Sequence, residues 1–307
     1  MNYTLHQLKI FLKVAEYQSI TLAAEDLYLT QPAVSIQLKK LQENFSIPLT
    51  EVVGRRLFVT DFGKEIAKAA EKIVNEIEAI NYKTRAFQNE LSGRLKISVA
   101  STGKYVMPYY LADFISMHRG VDLTMDVTNK KYVVESLEKN HVDFALVSVV
   151  PEKLDVQKIE LLDNKLYLLG ASKVNAKRKG SVRKIFERER MLYREPGSAT
   201  RQAMESFIQS NNMPMYKMME LTSNEAIKQA VIAGLGYTIM PLIGLKNALV
   251  EKEVEIIPCR GLPIKTKWIL VWLKAKNLSP VASAFASYLE ENKERINKQY
   301  FEWHEKY

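Results

Sequence analysis

Residues 29–45 read LTQPAVSIQLKKLQENF, and the order of these side chains decides how the N-terminal part of the chain folds. Val34, Leu38, Leu41 and Phe45 recur at helical spacing and predict one inward stripe. Thr30 is placed to cap that helix, and Pro32 falls in its first turn, where a missing N–H costs nothing. Gln31, Ser35, Ile36, Lys39 and Lys40 are left on the other side. Upstream, Leu5, Leu8, Phe11, Leu12 and Ala15 predict an earlier helix. Thr21 is expected to cap a second short one, LAAEDLYL, whose Ala23, Ala24 and Leu27 allow close packing.

Two short helices joined by a tight turn, the second opening on exposed hydrogen-bonding groups, match a helix-turn-helix. In that motif the second helix lies in the major groove and its first turns meet base edges. Gln31 suits adenine bidentately, and Ile36 suits a thymine methyl. After the helix comes IPLTEVVGRRLFVTDFGKE, with short β-type runs at Val52–Val53 and Leu57–Val59 around Gly54, Arg55 and Arg56. This predicts a wing whose paired arginines reach phosphate or the minor groove. The competing reading makes 1–60 a helical protein-docking module with solvated arginines.

On these residues the chain resembles the LysR-type transcriptional regulators. The resemblance rests on SITLAAEDL (19–27), TQPAVSIQLKKL (30–41), IPL (47–49) and GRRLFVT (54–60), and it covers the first sixty-five residues. The chain departs from the family pattern at Thr50, Glu51 and Val52, where an aromatic followed by Glu-Arg is common, and at Ile36, where a basic residue or Met is. The resemblance implies that Gln31, Pro32, Ser35 and Lys39, with Arg55 and Arg56, contact double-stranded DNA; Thr30 and Ile36 complete the candidate set.

From Gly63 to Leu91 there is no proline and no further glycine, and Ile66, Ala70, Ile73, Ile77, Ile80, Thr84, Phe87 and Leu91 follow a 4,3,4,3 spacing. A stripe that narrow along a helix of roughly 40 Å predicts a coiled coil. Ile66, Ile73, Ile77, Ile80 and Phe87 are the candidate dimerisation residues; the alternative is a single helix packed on its own domain. A symmetric dimer would hold two recognition helices over two half-sites.

Beyond Ser92 and Gly93 the grammar changes. RLKISVAS (94–101), VDLTMDVT (121–128), VDFALVSVV (142–150), KLYLLGAS (165–172), YKMMELT (216–222), YTIMP (237–241) and KWILVWLKA (267–275) are β-rich runs separated by helical segments. Such alternation predicts an α/β fold with a mostly parallel sheet, which binds ligands beyond the carboxyl ends of its strands. Those ends carry STGK (101–104), TNKK (128–131), SVV (148–150), REPGSATR (194–201) and TSNE (222–225), nearly all small hydroxyls or amides. Side-chain hydroxyls and helix N-terminal N–H groups converging there suit a small anion. A plain N-cap is the alternative at each position.

The family resemblance extends to REPGSATRQAMESF and SNEAIKQAVIAGLGYTIMP, similar to second-lobe segments of members that sense sulfur or carbon-assimilation metabolites. It implies an effector site at Ser101, Thr102, Thr128, Ser198 and Thr200, to which the strand-end reading adds Lys104 and Ser148. The expected fold class is an α+β multidomain chain. It has an N-terminal winged helix-turn-helix (1–62), a long linker helix (63–91) and a C-terminal α/β two-lobed periplasmic-binding-protein-like effector domain. Lobe I is expected at 92–164 and 267–307, and lobe II at 165–266. Expected partners are double-stranded DNA, a small metabolite and a second copy of the chain, with a tetramer and RNA polymerase beyond that; no cofactor is expected.

Composition bounds the alternatives. With 307 residues, 47% of them apolar, the chain supports two or three domains with sizeable cores. The net charge of +9 is no argument for DNA, because residues 1–92 hold eleven Lys+Arg and eleven Asp+Glu; the excess lies downstream, partly in the solvated run SKVNAKRKGSVRKIFERER (172–190). The single cysteine, Cys259, excludes an internal disulfide and reads as a small buried hydrophobe. Together with the lack of a signal-like N-terminus or a membrane-length apolar run, it predicts a soluble cytoplasmic protein. No enzyme emerges. Ser101 and Lys104 have a serine–lysine spacing without its companion motifs. His6, His118, His141 and His304 lack metal-ligand spacing. Gly234 and Gly236 lack the third glycine of a dinucleotide loop.

Overall fold

The computed structural model describes residues 3–54, 56–86, 91–175, 181–214 and 217–307. The chain divides into two compact units, Met1–Glu90 and Leu91–Tyr307.

The first unit is built from α1 (Leu5–Tyr17), α2 (Ile20–Asp26), α3 (Gln31–Gln42), β1 (Thr50–Val53), β2 (Arg56–Val59) and α4 (Asp61–Ala86). A capping box between Thr4 and Gln7 starts α1. Leu8 and Phe11 of the expected stripe are buried, together with Ile10 and Val14, while Leu12 and Ala15 pack partly buried against the same core. Ser19, not Thr21, caps α2, so that helix begins earlier than the sequence suggests. Ala23 and Ala24 are buried, and their small size lets α2 close on α1 and α3. Val34, Leu38, Leu41 and Leu49 complete this core, and Phe45 stacks on Tyr3 at 5.8 Å. The hairpin pairs Thr50 with Val59 and Val53 with Arg56. Gly54, at φ 66°, supplies the left-handed backbone such a turn demands. Gln42, the last residue of α3, accepts hydrogen bonds from Thr50 N at 3.0 Å and Thr50 Oγ1 at 2.8 Å, tying the wing to the helix end.

Thr60 starts α4: its Oγ1 accepts from Gly63 N at 2.9 Å and donates to Pro48 O at 2.7 Å. The helix therefore begins two residues before Gly63. Its 26 residues span about 39 Å.

The second unit contains β3 (Ser92–Ala100), α5 (Met107–Met117), β4 (Gly120–Thr128), α6 (Lys130–Glu138), β5 (Phe144–Val147), β6 (Val156–Ala171), α7 (Ser172–Asn175), α8 (Arg183–Arg188), β7 (Arg190–Arg194), α9 (Ala199–Ser210), β8 (Lys217–Leu221), α10 (Asn224–Ile232), β9 (Thr238–Pro241), α11 (Lys246–Val250), β10 (Val254–Ile256), β11 (Ile264–Leu273) and α12 (Pro280–Ile296). The strand order is β10-β6-β11-β5-β3-β4, with β9 also on β6 and β7-β8 as a separate parallel pair. The expected mostly parallel sheet is corrected here. Among the described strands only β3-β4, β3-β5 and β7-β8 pair in parallel, because β11 runs antiparallel to Val156–Leu166 of β6 and the rest of β6 pairs antiparallel with β9 and β10.

Alternation along β6 explains the second lobe. Leu166 and Leu168 face one apolar cluster with Phe186, Met191 and Phe207, while Tyr167 and Leu169 face another with Leu192, Val231 and Met240. The first lobe packs Leu95, Ile97 and Val99 of β3 against Tyr110, Phe114, Phe285 and Trp268. The crossing falls where Asn164 pairs with Thr266, next to a register shift between Trp268 and Ile269. Residues 297–306, past α12, form helical turns that dock on the domain. Phe301 enters the first lobe's core, Trp303 packs against clusters of both lobes, and Lys165 Nζ donates to His304 O at 3.1 Å and Tyr307 O at 2.9 Å. Among the described residues no helix is long and apolar enough to cross a membrane.

Candidate functional site

In the first unit, α3 buries Val34, Leu38 and Leu41 and turns Gln31, Pro32, Ile36, Lys39 and Lys40 to solvent; Ser35 is half-buried. Thr30 is the N-cap, its hydroxyl accepting from Ala33 N at 3.4 Å. Ile36 is 53% exposed, an apolar side chain that the core does not use. Arg56 opens β2 in solvent beside the turn; Arg55 lies outside the described residues. Along α4, Ala70 is buried and Ile66 packs against the core formed by α1 to α3. Ile66, expected on the dimer seam, is partly buried against its own unit's core, because the first turns of α4 lie on α1. Ile73 is 44% exposed, Ile77 half-buried and Ile80 exposed; Phe87 lies outside the described residues.

In the second unit, the ends of β3, β5 and β7, with the first turns of α6, α9 and α10, converge on a cleft between the lobes. Ser101, Thr102 and Ser148 line it from the first lobe, and Ser198 and Thr200 from the second. Four of the lining groups come from the sequence segments already singled out but not chosen from them: Asn129, Lys130, Arg194 and Asn224. Arg194 dominates. It is 2% exposed, donates from Nη1 to Ser101 Oγ at 3.0 Å, and forks through Nε and Nη2 onto Glu195 at 2.8 Å each. Asn129 Nδ2, from the other lobe, donates to the same carboxylate at 3.1 Å. Burial pushes the Glu195 carboxyl up, but the Arg194 fork and charge, with its own backbone N–H and Asn129, hold it below the ordinary glutamate value. Burial lowers the Lys130 ammonium's value, opposed by Glu152.

Further contacts clasp the lobes. Asn224 Nδ2 donates to Ser101 Oγ at 3.4 Å, Lys130 Nζ to Gln202 Oε1 at 3.3 Å, and the Tyr105 hydroxyl to Glu225. Glu225 is raised by burial yet held at about 2 by Lys228, Tyr105 and Gln229. The cleft is narrow, with about 30 Å³ open to the centres of water molecules. Asn164 Oδ1, Asn224 Oδ1 and Trp268 Nε1 line this cleft, buried and without a hydrogen-bond partner among the described residues. Buried polar groups of this kind are ordinarily satisfied by ordered water or by a ligand.

Two expected effector residues, Lys104 and Thr128, are not among those lining the cleft. Lys104 does not line the cleft, because its ammonium lies over the Tyr105 ring at 5.1 Å. Thr128 ends β4 one residue short: Asn129 is the N-cap of α6, its Oδ1 accepting from Lys131 N at 2.8 Å, and it is Asn129 that enters the cleft. An arginine closing the strand MLYR was the one available signal for Arg194. Asn164 and Trp268 gave none, since only the strand crossing brings them here.

The family model "Bacterial regulatory helix-turn-helix protein, lysR family" matches residues 5–64, and "LysR substrate binding domain" matches residues 88–294. The HTH-type transcriptional activator CmpR of Synechocystis sp. is 33% identical over 298 residues, 96% of this chain and 98% of that protein. A RuBisCO operon transcriptional regulator of Allochromatium vinosum is 34% identical over 94% of this chain and 96% of its own length. Among solved structures, the regulatory domain of Synechocystis PCC6803 CcmR in complex with 2-PG superposes with a TM-score of 0.61 at 30% identity, covering 66% of this chain and 98% of that one. With both of its units matched in this way, the chain belongs to the LysR-type transcriptional regulators, which bind DNA, carry an effector-binding domain and are not enzymes.

Proposed function

We propose that this protein regulates carbon-assimilation genes, reading DNA through α3 and the wing while a small acidic metabolite between the lobes modulates that reading. The buried Arg194 carries the proposal. Its Nε and Nη2 are held by Glu195, while Nη1 is directed at Ser101 in a hydroxyl-lined cleft that also holds Lys130 and the N-terminus of α9, a set of donors that suits an anion. The relatives support the gene class: one is a RuBisCO operon regulator, and the CcmR domain is described with 2-PG. Residues 1–62 read DNA, and 63–91 pair two copies through Ile73, Ile77, Ile80 and Phe87. Residues 92–164 with 267–307 form one effector lobe, and 165–266 the other. Two dimers combine in a tetramer that touches RNA polymerase in the cytoplasm, and no cofactor takes part. Ligand entry shifts the balance between open and closed lobes, and the shift is bounded by the ligand's differential affinity for the two.

The test is calorimetric titration of the full chain with 2-PG and, separately, inorganic phosphate. Wild type binds one of them, and Arg194→Gln binds it about tenfold to a hundredfold more weakly, the loss of a hydrogen-bonded charge. Equal binding by both proteins, or no binding of either anion, sinks the assignment.

A further inference from the structure

Tyr28 combines two unfavourable settings. Its φ is 54°, in the left-handed region, and the residue is 97% exposed. The cause is the way α2 ends. Leu29 N donates to Ala24 O at 2.9 Å and Tyr28 N to Glu25 O at 3.2 Å, which places residue 28 at the helix-end position that glycine or asparagine fills with least strain. Gln18, Asn140, Asn212 and Lys252 also have positive φ. Asparagine tolerates that backbone, and glutamine and lysine side chains belong in water. Tyr28 alone among these described positions is aromatic. A bulky ring at a strained position in full solvent points outward to a partner.

Its place in the unit says which partner. Two residues later Thr30 caps α3, and Gln31 is the first helical residue. A helix entering the major groove by its N-terminus brings the turn before it alongside the sugar-phosphate backbone. We infer that Tyr28 is a DNA-backbone contact of this chain, its hydroxyl donating to a phosphate oxygen beside the bases that α3 meets. The inference rests on the reading of α3 as the base-reading helix. A neutral hydroxyl positions the helix without displacing counterions, so it adds affinity while leaving the salt dependence alone.

The experiment starts from a duplex selected out of a random pool by the wild-type full chain. Tyr28→Phe and Tyr28→Asn are then titrated against that duplex over a salt series, and the first unit is melted by far-UV circular dichroism. Phe keeps the ring and removes the hydroxyl; Asn removes both and suits the left-handed backbone. Both variants bind about fivefold to tenfold more weakly, with the slope of log affinity against log salt unchanged. The Asn variant melts at the wild-type temperature or above it. Opposite signs for folding and binding are the signature of a residue kept for its partner. Wild-type affinity in either variant overturns the contact while leaving the reading of α3 standing. So does a binding loss accompanied by a lower melting temperature in both variants, which would make Tyr28 a folding residue. If the wild-type chain selects no duplex at all, the reading of α3 fails and this inference with it.

Discussion

His304 gives the second unit a measurable weakness to acid. The side chain is 2% exposed, its Nε2 has no partner among the described residues, and the Trp303 ring lies edge-on at 5.7 Å. Burial, assisted by the charge of Lys165 and opposed by Asp163, lowers its pKa from 6.5 to about 4. Between those values the unfolded chain binds a proton that the folded chain refuses, so stability falls as pH falls through the window and the loss is complete near pH 4. Applying the linkage relation to the two values, the second unit is less stable by about 1 kcal/mol at pH 5.5 and about 2 kcal/mol at pH 5.0 than well above pH 6.5. Carboxylates held below their ordinary values, such as Glu195 and Glu160, contribute stability that is lost only at lower pH. The assay is urea unfolding between pH 5 and 7 followed by tryptophan fluorescence. Trp268, Trp272 and Trp303 are the chain's three tryptophans and all lie in the second unit, so the signal reports that unit alone. His304→Phe keeps an aromatic ring beside Trp303 and removes the titration, and the variant should lack a loss of stability of about that size between pH 7 and pH 5. Parallel curves for wild type and variant would refute the account of His304 as a neutral buried group.

Three other outcomes are expected. Gln31→Ala relaxes sequence preference in a selected-duplex competition, whereas Arg56→Ala weakens binding to all sequences and lowers the salt slope by about one; the reverse pattern overturns the division between base and phosphate contacts. Ile73→Lys converts dimer to monomer in sedimentation, because a symmetric seam loses two isoleucines at once, about 3 kcal/mol at the least and hence about a hundredfold in Kd; an unchanged dimer places the seam elsewhere. Gly63→Ala destabilises the first unit by about 1–3 kcal/mol, since a Cβ there would sit 2.0 Å from the Leu49 carbonyl oxygen. Far-UV circular dichroism should show the first unit's transition move to lower temperature while the tryptophan transition stays in place.

Much of the first unit is legible in the sequence because its determinants are local. Thr30, Pro32 and the Val34, Leu38, Leu41 stripe specify α3 within one helix length, and Gly54 marks the wing turn. Local signals also err locally. Ser19 outcompetes Thr21 as the cap of α2, and Asn129 takes the place expected of Thr128, each within two residues of the expectation. The heptad spacing in α4 is real, yet spacing cannot say which helix a stripe faces, and Ile66 is taken up by α1. In the second unit, the hydroxyls at strand ends announce a cleft because parallel strands place their carboxyl ends together. What they could not announce is which neighbours arrive from far along the chain.

The sequence by itself therefore determined the class of protein: a capped recognition helix with exposed polar groups, a wing and a set of strand-end hydroxyls, each written in contiguous residues. Only the tertiary structure decided that Arg194 is buried opposite Ser101, that Asn164 and Trp268 face the same space, and that the sheet runs antiparallel where its lobes join. The reason is that helix caps, turns and stripes depend on neighbours a few residues away. A cleft depends on desolvation and on contacts between residues about a hundred positions apart, such as Arg194 and Ser101, separated by 93.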